Sequence, residues 1–445
     1  MSFLRNKFAI VWLAGLAAAF CVWAYALTTN NGFSTLNTLV FDTYQRQKPR
    51  VWAKSPVMIV DLDEKSIQRI GQWPWPRSVM AQLTDRLGAL GASTIVFDVV
   101  FSESDRTSPI KALDDLRKAG ASVQLPAKVS MLDNDVLFAE AIARNRVVTG
   151  LILSRAGPGE PPTPKAGTAF SGSVPPGFMT GEWKAVRNLP KIDEAATGIG
   201  DFSLEITAQA DAVVRKARLI KGANGNHYPA LAMEALRVAQ GAGGFKLKTS
   251  DGSGEIAAGN LTIVSAQVGT FEIPTDANGA LDIYHSAAAD KPVLSAASLL
   301  FPTENGTTDK QLGKLVADRI VVIGTSAAGL RDLRATPLQS DVPGATIHAE
   351  IIDQIISGTF LNRPDIAPGI ELFVSIIAVL ILLFFLPRMN AIAITNLTGL
   401  LIIAVIGGFW FAFSSQRLLL SPVLPVFVVL AAFAAGLAAD LLITE

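Results

Sequence analysis

Among the 445 residues, the side chains best suited to chemistry are acidic ones that follow short apolar runs. Asp61 and Asp63 close the run 57–62, and Asp98 lies near the end of 94–101, with Ser102, Glu103 and Asp105 just beyond. Thr325, Ser326, Arg331 and Asp332 follow the run 320–324. Three carboxylates and an arginine on one edge can hold a hard cation such as Ca2+ or Mg2+, or grip a small polar ligand through charge pairs. The same residues can form a buried Asp–Arg network that braces the edge, and their spacing does not decide between these roles. Arg77 ends the string Gly71-Gln72-Trp73-Pro74-Trp75-Pro76-Arg77. There the tryptophans are expected to cover the sheet edge and Arg77 to pair with one of the aspartates.

Familiar catalytic signatures are missing. The chain has no G-x-x-x-x-G-K-[ST] and no H-E-x-x-H, and 324–329 has one residue too many for a nucleophile elbow. His348-Ala349-Glu350 matches half of a zinc-deaminase signature, but a chain with one cysteine cannot supply P-C-x-x-C. That single cysteine also excludes intrachain disulfides, and three histidines leave little for a histidine-rich metal centre. No motif of a kinase or a nucleotide cyclase is present.

The elements that must carry these residues read as alternating strands and helices. The runs 57–62, 94–101, 147–153 and 320–324 are short, continuous and rich in Val and Ile, the pattern of strands buried on both faces. Helical spacing is expected over 76–90, 134–144, 228–239 and 343–356. Strand–helix–strand alternation implies an α/β domain with a mainly parallel sheet, and ligands of open parallel sheets bind beyond the carboxyl ends of the strands. The Pro/Gly-rich stretch 156–177 reads as a flexible loop and the Gly/Ser-rich 240–260 as an exposed hairpin.

Half of the residues are hydrophobic and only 17% charged, with 38 basic and 38 acidic side chains. A soluble chain carries about a quarter charged residues, so the apolar excess points to a membrane. Neutral balance argues against a nucleic-acid partner. Four apolar stretches, 8–27, 369–386, 391–413 and 422–442, approach the ~20 residues of a transmembrane helix. The expected order is a cytoplasmic 1–7, the first span, a domain over 28–368, three more spans and a cytoplasmic 443–445. Arg5 and Lys7 before the first span place the N-terminus inside and the large domain outside, and Arg388 agrees. Arg417 is a mild conflict. Ala24-Tyr25-Ala26 also has the form of a signal-peptidase site, although the apolar run is long for a cleaved leader.

Several strings together resemble one family. They are Asp42-Thr43-Tyr44, Val57-Met58-Ile59-Val60-Asp61-Leu62-Asp63-Glu64-Lys65-Ser66, Trp73-Pro74-Trp75-Pro76-Arg77 and Ile95-Val96-Phe97-Asp98-Val99-Val100-Phe101-Ser102-Glu103. Tyr228-Pro229-Ala230-Leu231-Ala232, Val322-Ile323-Gly324-Thr325-Ser326 with the following residues to Asp332, and Ile347-His348-Ala349 continue the match. Over about 36–361 the chain resembles a CHASE domain of the second type, a bacterial extracellular sensing module, with the anchor and three trailing helices usual in that group. The resemblance implies a receptor of the bacterial inner membrane. Its external signal would reach a cytoplasmic output, an adenylate or guanylate cyclase or a histidine kinase. Apart from the resemblance, the short link through Leu361–Pro368 into the membrane leads to the expectation that the last helix re-packs across a homodimer. The resemblance supplies no ligand. No output domain lies within these residues, so the expectation is either a longer receptor or an output partner in trans. An envelope scaffold whose external domain binds another protein is the alternative.

Overall fold

A computed structural model describes residues 2–29, 32–122, 133–176, 178, 182–204, 211–252, 261–287, 291–302, 306–327 and 332–444. In chain order its principal elements begin with helices α1 (Ser2–Thr28) and α2 (Ser34–Gln47). Next come β1 (Val57–Asp61), α3 (Glu64–Ile70), α4 (Arg77–Ala89), β2 (Thr94–Phe97), α5 (Asn134–Arg144) and β3 (Val147–Ser154). They are followed by β4 (Gly167–Ser171), β5 (Lys184–Val186), β6 (Gly198–Asp201), α6 (Leu231–Gln240), β7 (Gly244–Thr249), β8 (Ile263–Val268) and β9 (Phe271–Pro274). The last are β10 (Val293–Ser295), β11 (Ile320–Gly324), α7 (Gly344–Ser357), α8 (Ala367–Phe385), α9 (Ala391–Gln416) and α10 (Val423–Thr444).

The chain forms two compact units, residues 50–360 in one and 1–49 with 361–445 in the other. The larger unit is built on a seven-stranded sheet in the order β10–β1–β11–β2–β3–β5, with β6 also on β3. Every pair is parallel except β3 with β5. The continuous Val/Ile runs have their cause here, because both faces are covered. Ile59, Val96, Val148 and Val322 meet α6 and α7 on one face, while Met58, Val60, Ile95, Val321 and Ile323 meet α4 and α5 on the other.

The expected loop holds a strand, and the expected hairpin is not a fully exposed one. Within 156–177 lies β4, and within 240–260 lies β7, which pair parallel to each other in a second sheet of order β9–β8–β7–β4. Phe245 and Leu247 alternate with exposed or half-exposed neighbours and are buried, so β7 follows the two-residue period of a strand with one face covered. The helix expected from 228 starts at Leu231, because Tyr228 takes the extended backbone favoured before Pro229. Strand β2 stops at Phe97, short of 101. Beyond it Phe101 turns into a cluster with Phe97 and Phe138, at ring-centre distances of 5.5 and 4.9 Å.

The smaller unit holds four helical stretches long and apolar enough to cross a membrane: Phe8–Thr28, Ala367–Arg388, Ala391–Gln416 and Val423–Ile443. Val11, Ala19, Leu382, Leu383, Val428 and Ala432 form their shared core. Gly15 allows this closeness. A side chain there would start 2.4 Å from Leu383 and 3.3 Å from the Ala432 carbonyl oxygen, so small residues bring the backbones together. Helix α2, from within the expected domain 28–368, belongs to this unit, and its Tyr44 stacks on Phe413 at 5.0 Å.

Candidate functional site

The carboxyl ends of β1, β11 and β2 lie side by side. Asp61 pairs in register with Gly324, and Ile323 with Phe97, which puts Asp61, Gly324 and Asp98 in one row on the α7 face. From β1 the chain passes to α4 on one face, and from β11 to α7 on the other. Neighbouring parallel strands whose connections diverge leave a crevice at that switch point. A cavity of about 200 Å3 occupies it, with Asp61, Lys291, Thr325, Asp341 and Thr346 in its wall. The start of α7 closes down on the strand end. A side chain on Gly324 would begin 2.3 Å from the Ala345 methyl, so glycine is required by close approach.

Asp61 is held by one residue. Ser326 donates its backbone N–H to Oδ1 at 2.9 Å and its hydroxyl to Oδ2 at 2.6 Å. Burial raises the Asp61 pKa, with Ser326 opposing the rise. Thr325 donates its hydroxyl to the Leu62 carbonyl at 3.3 Å.

Asp98 is buried, and among the described residues neither carboxyl oxygen has a hydrogen-bond partner. Burial first, then the neighbouring Asp332, lifts its pKa well above the ordinary value, while Arg334 opposes. The His348 ring from α7 places Nε2 3.7 Å from Asp98 Oδ1 and 3.2 Å from the Phe202 carbonyl oxygen. Burial lowers the His348 pKa to about 4. Burial thus opposes charge on both members, raising the Asp98 pKa and lowering that of His348, which disfavours two unpaired charges in the interior. Asp332 carries an ion pair to Arg334 at 3.3 Å. A Gly344 side chain would begin 3.0 Å from Asp98 Oδ2 and 2.8 Å from Asp332 Oδ2, so both carboxyls face the first residue of α7.

The remaining expected site residues go elsewhere. Asp63 caps α3, accepting the Ser66 N–H at 2.9 Å, the Ser66 hydroxyl at 2.6 Å and the Ser295 hydroxyl at 2.8 Å. Asp63→Ala should cost about 1 kcal/mol, the usual worth of such a cap, read as a lowered unfolding midpoint. Arg77 pairs with an aspartate, as expected, but with Asp135 at 3.8 Å, and its backbone N–H donates to Asp105 at 2.7 Å. Its guanidinium stands 4.7 Å over the Phe101 ring, on the α4 and α5 face. Ser102 is exposed, and Arg331 lies outside the described residues.

Among the described residues no three His, Cys, Asp or Glu side chains are arranged to hold a metal ion. Each Asp61 oxygen accepts a bond from Ser326, and burial lifts the Asp98 pKa and so opposes the ionised form that a hard cation needs, which makes these donors a poor fit to Ca2+ or Mg2+. A filled site at a hundredfold over its Kd would add about 2.7 kcal/mol of stability. The expected result is no rise in melting midpoint with either cation and no fall with EDTA.

A second buried network grips α7 at its far end. Asp353 pairs with Arg50, accepts the Ser55 hydroxyl, and accepts the Ala53 N–H at 3.3 Å. Arg50 also donates to the carbonyls of Tyr284 at 2.8 Å and Glu350 at 3.2 Å. Glu350 meets His285 at 2.8 Å, the Ser286 N–H at 2.8 Å and Lys291 at 3.0 Å. Burial raises the Glu350 pKa, but these partners outweigh it and hold it at about 2. Lys291 therefore touches both the crevice and this network. Sequence reasoning missed Lys291, Asp341, His348, Glu350 and Asp353 as members of the site. The available signal was three titratable residues and Gln354 among the apolar residues of Ile347–Ile356, a pattern that asks for buried partners.

The fold and this edge define a mainly parallel α/β domain with a crevice at its switch point, in a chain that also carries four helices fit to cross a membrane. The CHASE2 domain matches residues 17–386, and the chain belongs to that family of sensor domains. No curated protein and no solved structure matches it.

Proposed function

We infer that this protein is a receptor module of the bacterial inner membrane. Its domain takes up a small polar ligand in the crevice between β1 and β11 and relays occupancy along α7. The observation that carries this reading is the double engagement of α7. Its first turn closes the crevice through Ala345 and Thr346, and its Asp353 grips Arg50 about 11–12 Å further along the helix. Arg50 is the first residue of the larger unit, and α7 ends at Ser357, three residues before that unit's last, Phe360. Movement of α7 thus reaches both points at which the chain passes to the apolar helices.

In this reading Arg5 and Lys7 mark the cytoplasmic side, and the larger unit lies outside the cell membrane. The receptor acts as a homodimer. The output is a class III adenylate cyclase or a histidine kinase, in the same chain or in a partner.

The test uses the full chain in lipid nanodiscs, with small polar metabolites screened by thermal shift. A stabilising compound should lose its effect in Asp61→Asn and in Thr346→Trp, which fills the crevice. Hydrogen exchange with that compound should slow around 324–346 and change at 50–55 and 357–360. Protection that never reaches 50–55 would overturn the relay, and a shift unaltered by both substitutions would overturn the site.

A further inference from the structure

The smaller unit contains a cavity of about 440 Å3, within the range of ligand pockets, whose wall includes Trp23, Phe33, Asn37, Glu371, Leu372 and Leu424. Trp23 lies near the end of the first candidate span, Glu371 near the start of the second and Leu424 at the start of the fourth. The cavity therefore sits at the depth where hydrocarbon gives way to headgroups, the level at which tryptophan is favoured.

Its polar end is anionic and incompletely used. Glu371 Oε1 accepts from Arg363 at 2.9 Å and from the Ser421 N–H at 2.8 Å, whereas Oε2 receives a single long bond of 3.5 Å from Arg363. The Glu371 side chain is only 7% exposed, so its spare acceptor capacity is directed within the protein rather than at bulk water. Arg363, bonded to Glu371 although not itself in the cavity wall, is 31% exposed and keeps donors beyond those given to Glu371 and the Leu419 carbonyl. Asn37 already accepts the Ser421 hydroxyl at 2.6 Å, which fixes this corner.

Helix α2 beside it is turned outside in. Asp42, Tyr44 and Gln45 are buried while Leu36 and Leu39 are 39% and 54% exposed. A helix that buries polar residues and exposes leucines is suited to rest in the bilayer surface.

We propose that this cavity binds an aminophospholipid. Its primary ammonium is held by Glu371, its phosphate by Arg363, and its glycerol and first acyl carbons by Trp23, Phe33 and Leu424. A choline headgroup has no N–H to donate to Oε2, and an anionic phosphoglycerol would set its charge against Glu371 without a compensating ammonium. The bundle thereby acquires sensitivity to bilayer composition that is independent of the crevice ligand.

The full chain, purified in detergent, is titrated with phosphatidylethanolamine, phosphatidylcholine and phosphatidylglycerol of identical acyl chains. Retained lipid is counted by native mass spectrometry, and the melting midpoint is followed. Phosphatidylethanolamine should be retained at least fivefold more than either competitor and should raise the midpoint. Glu371→Gln should abolish the preference, and Leu424→Trp, which fills the cavity without touching the ion pair, should abolish retention. Equal retention of the three lipids by the wild type overturns the headgroup assignment whatever the variants do. A phosphatidylethanolamine preference that survives Leu424→Trp overturns the location.

Discussion

Arg50→Met should destabilise the larger unit by about 3–5 kcal/mol, the cost of leaving one member of a buried ion pair without its partner. The exposed fractions of the two side chains are 2% for Arg50 and 0% for Asp353, so the abandoned carboxylate has no route to water. Ser55 and the Ala53 N–H would remain on it, but neither supplies a compensating charge. For a unit of this size the loss corresponds to roughly 6 °C or more in melting midpoint. Asp353→Leu alone should cost a similar amount, because among the described residues Arg50 would keep its two carbonyl partners and the Trp52 ring but no carboxylate. The double variant should recover most of the loss, since replacing both members of a buried pair by apolar groups is often nearly neutral. A double-mutant cycle on the full chain reads this coupling directly. Additive losses would mean that the pair does not join α7 to the start of the domain.

That double variant also separates stability from signalling. If α7 relays occupancy through Arg50, an apolar pair of equal stability still removes the directional hydrogen bonds to Tyr284 and Glu350. Thermal response to the crevice ligand should survive in it, while the exchange change at 50–55 should shrink.

The parts of this architecture readable in advance are those where a local pattern has one structural solution. Residues 320–324 form the expected strand residue for residue, because five consecutive apolar or small residues between polar flanks suit a central parallel strand. Asn134–Arg144 is the helix its spacing predicted, with Asp133 accepting the Asp135 N–H at its start. The rule that ligands sit beyond strand ends led to Asp61 and Asp98, and both lie on that edge. Spacing could not say which face each neighbour would take. Arg77 comes from the connection that leaves β1, yet its helix covers the other face, so it meets Asp105 and Asp135. Asp63 lies two residues from Asp61, and that offset turns it from the sheet edge into a helix cap. Lys291 and Asp341 reach the crevice from segments with no periodic signal, and β4 was hidden because Pro and Gly around it outweighed five residues of strand.

The pH dependence of stability should expose the Asp98–His348 pair through the opposite signs of its members. Asp98 has a folded pKa well above its ordinary 3.8, so the folded chain binds that proton more tightly than the unfolded chain. Its contribution to stability is fullest below 3.8 and is lost as pH rises towards the folded value, at about 1.4 kcal/mol per pH unit. His348 does the reverse: its pKa drops from 6.5 to about 4, so the unfolded chain takes up the proton first. Its contribution rises with pH between those two values. Where the two windows overlap, above about pH 4, the slopes oppose each other. Asp332, Arg334 and Asp201 are the other charged groups acting on the pair, and none of them replaces either proton. Asp98→Asn should therefore gain stability relative to wild type as pH rises above 3.8, and His348→Gln should lose relative stability as pH rises from about 4 to 6.5. The readout is the difference in unfolding free energy between each variant and wild type, in which titration elsewhere cancels. A flat difference for Asp98→Asn would mean that the Asp98 carboxyl is ionised in the folded protein, and that a cation balances it at the head of α7.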